Sequence, residues 1–280
     1  GSLSQHRFTK MLVDPQRDYI YGLDTQKNQL VFIDKNRLIP VKSLVVGSMP
    51  TDMEFDASGN IMLIANFGST LINRVDLVEQ KIDLKQGFRV AVNPFIIAVD
   101  KTNNRVAFVT QDEMSPIIII DAESGFEIMR ADDLAYQPDI VFDSSGRYIY
   151  AAESGRDESY LRCFDLISGI PEEIFHSIDP SYYPARKVLY TPNHHYIYFA
   201  GKKYDTEFFD FIDDFSEELI MISPDGNLVF THRQIFDTTT MNDIGGLPTD
   251  SPILAIDRNN EIVYQFANNT GSLFIYLINN

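Results

Sequence analysis

Four side chains with oxygen donors, Asn66, Asn93, Gln111 and Glu153, fall at comparable places in successive stretches of this 280-residue chain. Amide and carboxylate oxygens suit a hard cation, so the four could serve as ligands to Ca²⁺, against the simpler expectation that no metal or cofactor is bound. A second group carries recognition chemistry. Tyr136, Tyr182 and Tyr183 offer rings that stack on sugars or fill pockets on a protein partner, or that pack between neighbouring sheets. Arg156, Arg186 and Lys202 could anchor a carboxylate or end in exposed surface pairs. Tyr204, Phe208 and Phe209 belong to an aromatic run too apolar for a solvated linker, and His232 is the one histidine near these groups.

Nucleophilic catalysis finds little support. A hydrolytic nucleophile needs a base and an orienting group beside it, and no G-x-S-x-G string occurs. His194 and His195 sit in a tight turn, His6 near the start and His176 in an outer strand. The acidic string DFIDDF (210–215) matches no spaced calcium motif.

The elements that must position these residues are strands. An apolar run, an Asp or Thr, a few turn residues and a second apolar or aromatic run recur as MLVDPQRDYIYGL from Met11, MEFDASGNIMLIAN from Met53 and IIAVDKTNNRVAFVTQ from Ile96. The same signature returns as IVFDSSGRYIYAAE from Ile140, VLYTPNHHYIYFAG from Val188 and ILAIDRNNEIVYQFAN from Ile253. Asp, Asn, Pro and Gly bend the chain, and β-branched and aromatic residues fill the flanks. A second hairpin follows most copies, as in QLVFIDKNRLIPVKSLVV and YLRCFDLISGIPEEIF, giving four strands per repeat.

Repeats of about 42 residues with four strands each predict an all-β fold, a β-propeller, as one domain over 1–280. The ambiguous stretch is ISPDGNLVFTH (222–232). Read as an opening hairpin it yields seven blades, with intervals of 32 and 34 residues on either side of Ser223, against 42, 44, 43 and 48 elsewhere. Read as a closing hairpin it yields six blades, an insertion over 201–215 and a fifth repeat of 66 residues. The short intervals favour six, with seven as the alternative. The last blade then shows three strands, and residues 3–9 are expected to supply its fourth.

VVGSMPTDMEFDASGN (45–60), with weaker echoes in AVNPFIIAVDKTNN and AYQPDIVFDSSGRYIY, resembles the YVTN-type and lactonase-like propellers. The resemblance spans the chain and implies fold more than activity, since such families include surface proteins, binders and enzymes. Regucalcin-type lactonases hold a metal with a Glu, two Asn and an Asp from separate blades. Asn66, Asn93, Gln111 and Glu153 echo that set without its order or spacing.

Charge and composition narrow the partners. With 23 basic against 40 acidic residues the net charge is −17, which repels phosphate backbones and anionic lipid, so nucleic acid is not an expected partner. No apolar run approaches the roughly 20 residues of a spanning helix, and membrane insertion is not expected. The single cysteine, Cys163, cannot form an internal disulfide and reads as a buried strand thiol. The sequence therefore predicts a noncatalytic, extracellular or envelope-associated binding module, the cytoplasm being the alternative, with further domains in a longer protein. Its protein or glycan ligand is expected at the inter-blade loops and the 201–215 segment. A metal-assisted, lactonase-like hydrolase at the channel mouth is the alternative.

Overall fold

The computed structural model describes all residues except 1, 83–86, 113–114, 133–137, 155–158, 180–186, 192–195, 216, 258, 260 and 279–280. The signature Asp fixes each inner hairpin through its side chain. Asp56 Oδ1 accepts from Ile61 N (3.0 Å), Asp143 Oδ1 from Tyr148 N (2.8 Å) and Asp257 Oδ1 from Ile262 N (3.0 Å). Thr191 Oγ1 and Ser223 Oγ do the same for Tyr196 N and Leu228 N, each at 2.9 Å. A short side-chain acceptor at this position satisfies the N–H that opens the next strand, which the tight turn leaves without a ladder partner.

Seven antiparallel sheets result, one per signature, with Ser223 opening the sixth. The innermost strands are Phe8–Val13, Pro50–Phe55, Ile96–Asp100, Asp139–Phe142, Val188–Thr191, Met221–Ile222 and Leu254–Ile256. Seven apolar clusters join blade 1 to 2, 2 to 3 and onward, and the last, with Phe8, Met11, Ala255 and Phe266, joins blade 7 to blade 1. The ring is a seven-bladed propeller. Second and third strands read as near-continuous apolar runs, such as Tyr19–Asp24 and Gln29–Asp34, because a blade covers each of their faces.

The expectation of six blades is thus overturned. ISPDGNLVFTH opens a repeat: Met221–Ile222 and Leu228–Phe230 are the two inner strands of blade 6, followed by Gln234–Asp237 and Asp243–Gly246. Four strands fit into the short interval because the strands shrink to between two and four residues. The 201–215 segment is correspondingly no insertion. It forms the third and fourth strands of blade 5, Lys202–Asp205 and Phe211–Asp214.

The ring also closes differently from the expectation. Phe8 and Thr9 belong to the innermost strand of blade 1, and Leu3–Gln5 is a short 3₁₀ turn, so residues 3–9 do not form the outer strand of blade 7. Closure instead uses Asn268, whose Oδ1 accepts from Phe8 N (2.8 Å) and whose Nδ2 donates to Phe8 O (2.7 Å). One amide side chain thereby replaces two rungs of a ladder across 260 positions of sequence. Blade 7 has three strands among the described residues, and its outermost, Ser272–Leu277, leaves Ile275 and Leu277 exposed. Blade 2 carries its outer strand in two pieces, Lys81–Ile82 and Phe88–Arg89.

Candidate functional site in the central channel

Up-and-down order within each blade puts the turns between second and third strands, and the links between blades, on one face. The turns between first and second and between third and fourth strands lie on the other. We call these the upper and lower faces. The inner strands run from upper to lower and their side chains line the axis.

One position of the repeat, four residues before the signature Asp, Thr or Ser, reads Lys10, Asp52, Ile96, Asp139, Lys187, Leu219 and Ile253 around the ring. Four charged residues thus stand where an inner strand would ordinarily be apolar. They converge on a cavity of 480 Å³ bounded by the inner strands of blades 1–5, with Glu54 and Lys101 further down and Ile96, Ala98, Val141, Leu189 and Tyr190 in its walls. A second cavity of 650 Å³ shares Glu54 and Lys101 and opens between the lower turns beside Pro15, Ala57 and Pro224.

The charged groups form two pairs of different character. Lys10 Nζ donates to Asp52 Oδ1 at 2.7 Å and lies 3.9 Å from Glu54, while Asp52 Oδ2 accepts from Ile97 N (2.9 Å) in the next blade. Burial opposes the charge on Lys10, but Asp52 and Glu54 outweigh it and hold the ammonium above the ordinary lysine range. Across the channel, Asp139 Oδ2 accepts from Val188 N (3.0 Å), but Oδ1 lies 3.9 Å from Lys187 Nζ, too long for a hydrogen bond. Burial pushes the Asp139 carboxyl up, and the repulsion of Asp52 adds to it; Lys187 and the Val188 N–H pull the other way without cancelling it. Lys187 keeps 42% of its side chain exposed and Asp139 only 10%. Lys101 is similarly loose, 4.0 Å from Glu54.

The residues singled out from sequence lie elsewhere. Tyr136, Arg156, Tyr182, Tyr183 and Arg186 fall outside the described residues. None of Asn66, Asn93, Gln111 and Glu153 lines the channel cavity. Asn66 is fully buried beside the second-to-third turn of blade 2, its Nδ2 donating to Leu71 O (2.8 Å) and Asn73 Oδ1 (3.0 Å). Glu153 Oε1 lies 3.3 Å from Arg162 Nε on the neighbouring strand. Asn93 is exposed in the link into blade 3 and Gln111 lies in that blade's upper turn. The four are spread over blades 2, 3 and 4, and the hydrogen bonds described for Asn66 remain within its own blade. Among the described residues, no group of three His, Cys, Asp or Glu side chains is arranged to hold a metal.

The aromatic run is built into blade walls. Tyr204 is buried and meets Phe211 edge-on, and Phe209 stacks on Phe175 with ring centroids 4.1 Å apart. Phe208 is exposed on the third-to-fourth turn, hence on the lower face, opposite the expected ligand face. Lys202 begins that blade's third strand, and its neighbour Lys203 is buried, donating to Thr238 O (2.6 Å) over the Tyr196 ring. Burial lowers the Lys203 pKa. His232 does stand on the upper face, 3.9 Å from Asp250, which Arg233 holds at 2.6 Å. Cys163 is buried, as its setting in LRCFDL suggests, and burial raises its thiol pKa.

No family model and no curated protein matches the chain. Among solved structures, a chain of Kuenenia stuttgartiensis hydrazine synthase superposes with a TM-score of 0.82 at 13% identity, covering 97% of this chain and 96% of that one. The β-propeller domain of Myceliophteria thermophila Cps50 (Swd1) gives 0.75 at 13% identity, covering 98% of each. The likeness is one of fold. The resemblance to YVTN-type and lactonase-like chains accordingly holds at the level of the propeller. No helix among the described residues is long and apolar enough to cross a membrane.

Proposed function

We propose that this protein is a noncatalytic binding propeller that receives its ligand in the central channel, between the inner strands of blades 1–5. The observation that carries this reading is the convergence of Lys10, Asp52, Asp139 and Lys187, one residue from each of four blades, on a cavity of 480 Å³. That volume lies within the range of small-molecule sites, and the lining joins apolar walls to a few charged groups, the composition such sites have. A protein or glycan reaching in from the upper loops would meet the same groups first. The hydrolase alternative lacks a corresponding observation, since Asn66, Asn93, Gln111 and Glu153 do not line this cavity.

The test is a thermal-shift screen of charged and neutral small molecules against the wild type and Lys187→Met. Hits that stabilise the wild type and lose their effect in the variant are expected. Hits that act equally on both would place the ligand away from the channel.

A further inference from the structure

The two ion pairs of the channel set what a ligand must offer. Lys10 and Asp52 satisfy one another: the ammonium has one carboxylate in hydrogen-bond contact and a second nearby, and the other oxygen of Asp52 is taken by a backbone N–H. Lys187 and Asp139 do not. Their charged atoms stand 3.9 Å apart, the carboxylate is buried with one oxygen on Val188 N, and the ammonium is partly in solvent. Holding a carboxylate in so buried a place is costly, and a charge-assisted bond to the oxygen that faces the cavity recovers much of that cost.

Charge balance selects the ligand class. Lys10, Lys101 and Lys187 face Asp52, Glu54, Asp139 and Asp143 in this cavity, a formal sum of −1 and so near balance in a chain whose net charge is −17. An anion bound to Lys187 would stand beside Asp139, and a cation bound to Asp139 would stand beside Lys187. A molecule carrying both charges side by side avoids either conflict. Its ammonium would donate to Asp139 Oδ1, its carboxylate would accept from Lys187 Nζ, and its remainder would lie against Val141, Leu189 and Tyr190.

Resting on the reading of the channel as the binding site, we infer that its ligand is a small zwitterion with an apolar substituent, of the α-amino acid type, held by Asp139 and Lys187. Isothermal titration of the intact protein with L-leucine, L-valine and L-phenylalanine, and with N-acetyl-L-leucine and L-leucinamide, tests this. The free amino acids are expected to bind, and each singly blocked derivative to bind at least tenfold more weakly. Lys187→Met and Asp139→Asn, each checked for an intact fold by its cooperative melt, are expected to weaken the amino acids by a similar factor.

Equal binding of N-acetyl-L-leucine and L-leucine would overturn the zwitterion in favour of a simple anion site. An undiminished titration in both variants would overturn the assignment to Asp139 and Lys187. Absence of binding by all three amino acids also rejects the inference. In that case, a Lys187-dependent hit of another class in the thermal-shift screen would leave the channel reading standing, whereas hits indifferent to Lys187 would remove both.

Discussion

Lys10–Asp52 and Lys187–Asp139 occupy the same position of the repeat on opposite sides of one channel, yet the first is closed at 2.7 Å and the second open at 3.9 Å. Both aspartates accept a backbone N–H from the next blade, so their anchoring is alike. The difference lies with the lysines. Lys10 projects from the middle of a strand and is flanked by Asp52 and Glu54, whereas Lys187 stands just ahead of its strand, half in solvent. One pair therefore acts as a fixture of the ring, and the other keeps hydrogen-bonding capacity for something else.

The largest effect should come from breaking the fixture. Lys10→Met leaves Asp52 buried and Glu54 without its nearer cation, and should cost about 3 kcal/mol of unfolding free energy by denaturant titration. The stability that Lys10 contributes is fully present at neutral pH. Because its folded pKa is raised, that contribution fades only as the pH climbs past the unfolded lysine value of 10.5.

Asn268→Ala should follow. It frees both backbone groups of Phe8 at the seam that holds blade 1 in place, for a loss of about 2 kcal/mol and a lower melting temperature. A loss confined to Lys10→Met would show that the closed pair, rather than the seam, fixes blade 1.

On the open side the sign reverses. Burial raises the Asp139 pKa, so between the ordinary value of 3.8 and the raised folded value the unfolded chain ionises first, and stability falls as the pH rises through that window. Asp139→Asn keeps an acceptor for Val188 N and removes this cost. Its melting temperature should exceed that of the wild type at pH 7, and the advantage should vanish below pH 3.8. A destabilised Asp139→Asn at pH 7 would show the second pair to be as structural as the first. Smallest of all, Lys187→Met without ligand should change stability by less than about 1 kcal/mol, since the pair is loose and its lysine is largely solvated.

The sequence is legible wherever a residue's role is local. The Asp-centred hairpins, the four-strand repeat and the burial of Cys163 all depend on turn chemistry and alternation within a few residues. The blade count is not legible in this way, because repeat length is not constant: Ser223 replaces the signature Asp with a shorter acceptor and opens a blade of two- to four-residue strands. The insertion over 201–215 and the upper-face placement of Phe208 and Phe209 followed from that count. One signal for the site was present in the chain: aligning the seven repeats on Asp14, Asp56, Asp100, Asp143, Thr191, Ser223 and Asp257 brings Lys10, Asp52, Asp139 and Lys187 into one column.

By itself, then, the sequence determined an all-β propeller of repeated hairpins, because hydrophobic alternation and turn acceptors act over neighbouring residues. Only the tertiary structure decided that seven sheets close the ring through Asn268 and Phe8, and that four charged residues meet on one axis. Those contacts join residues dozens to hundreds of positions apart. Their geometry is set by how many blades share the circle, which no single repeat encodes.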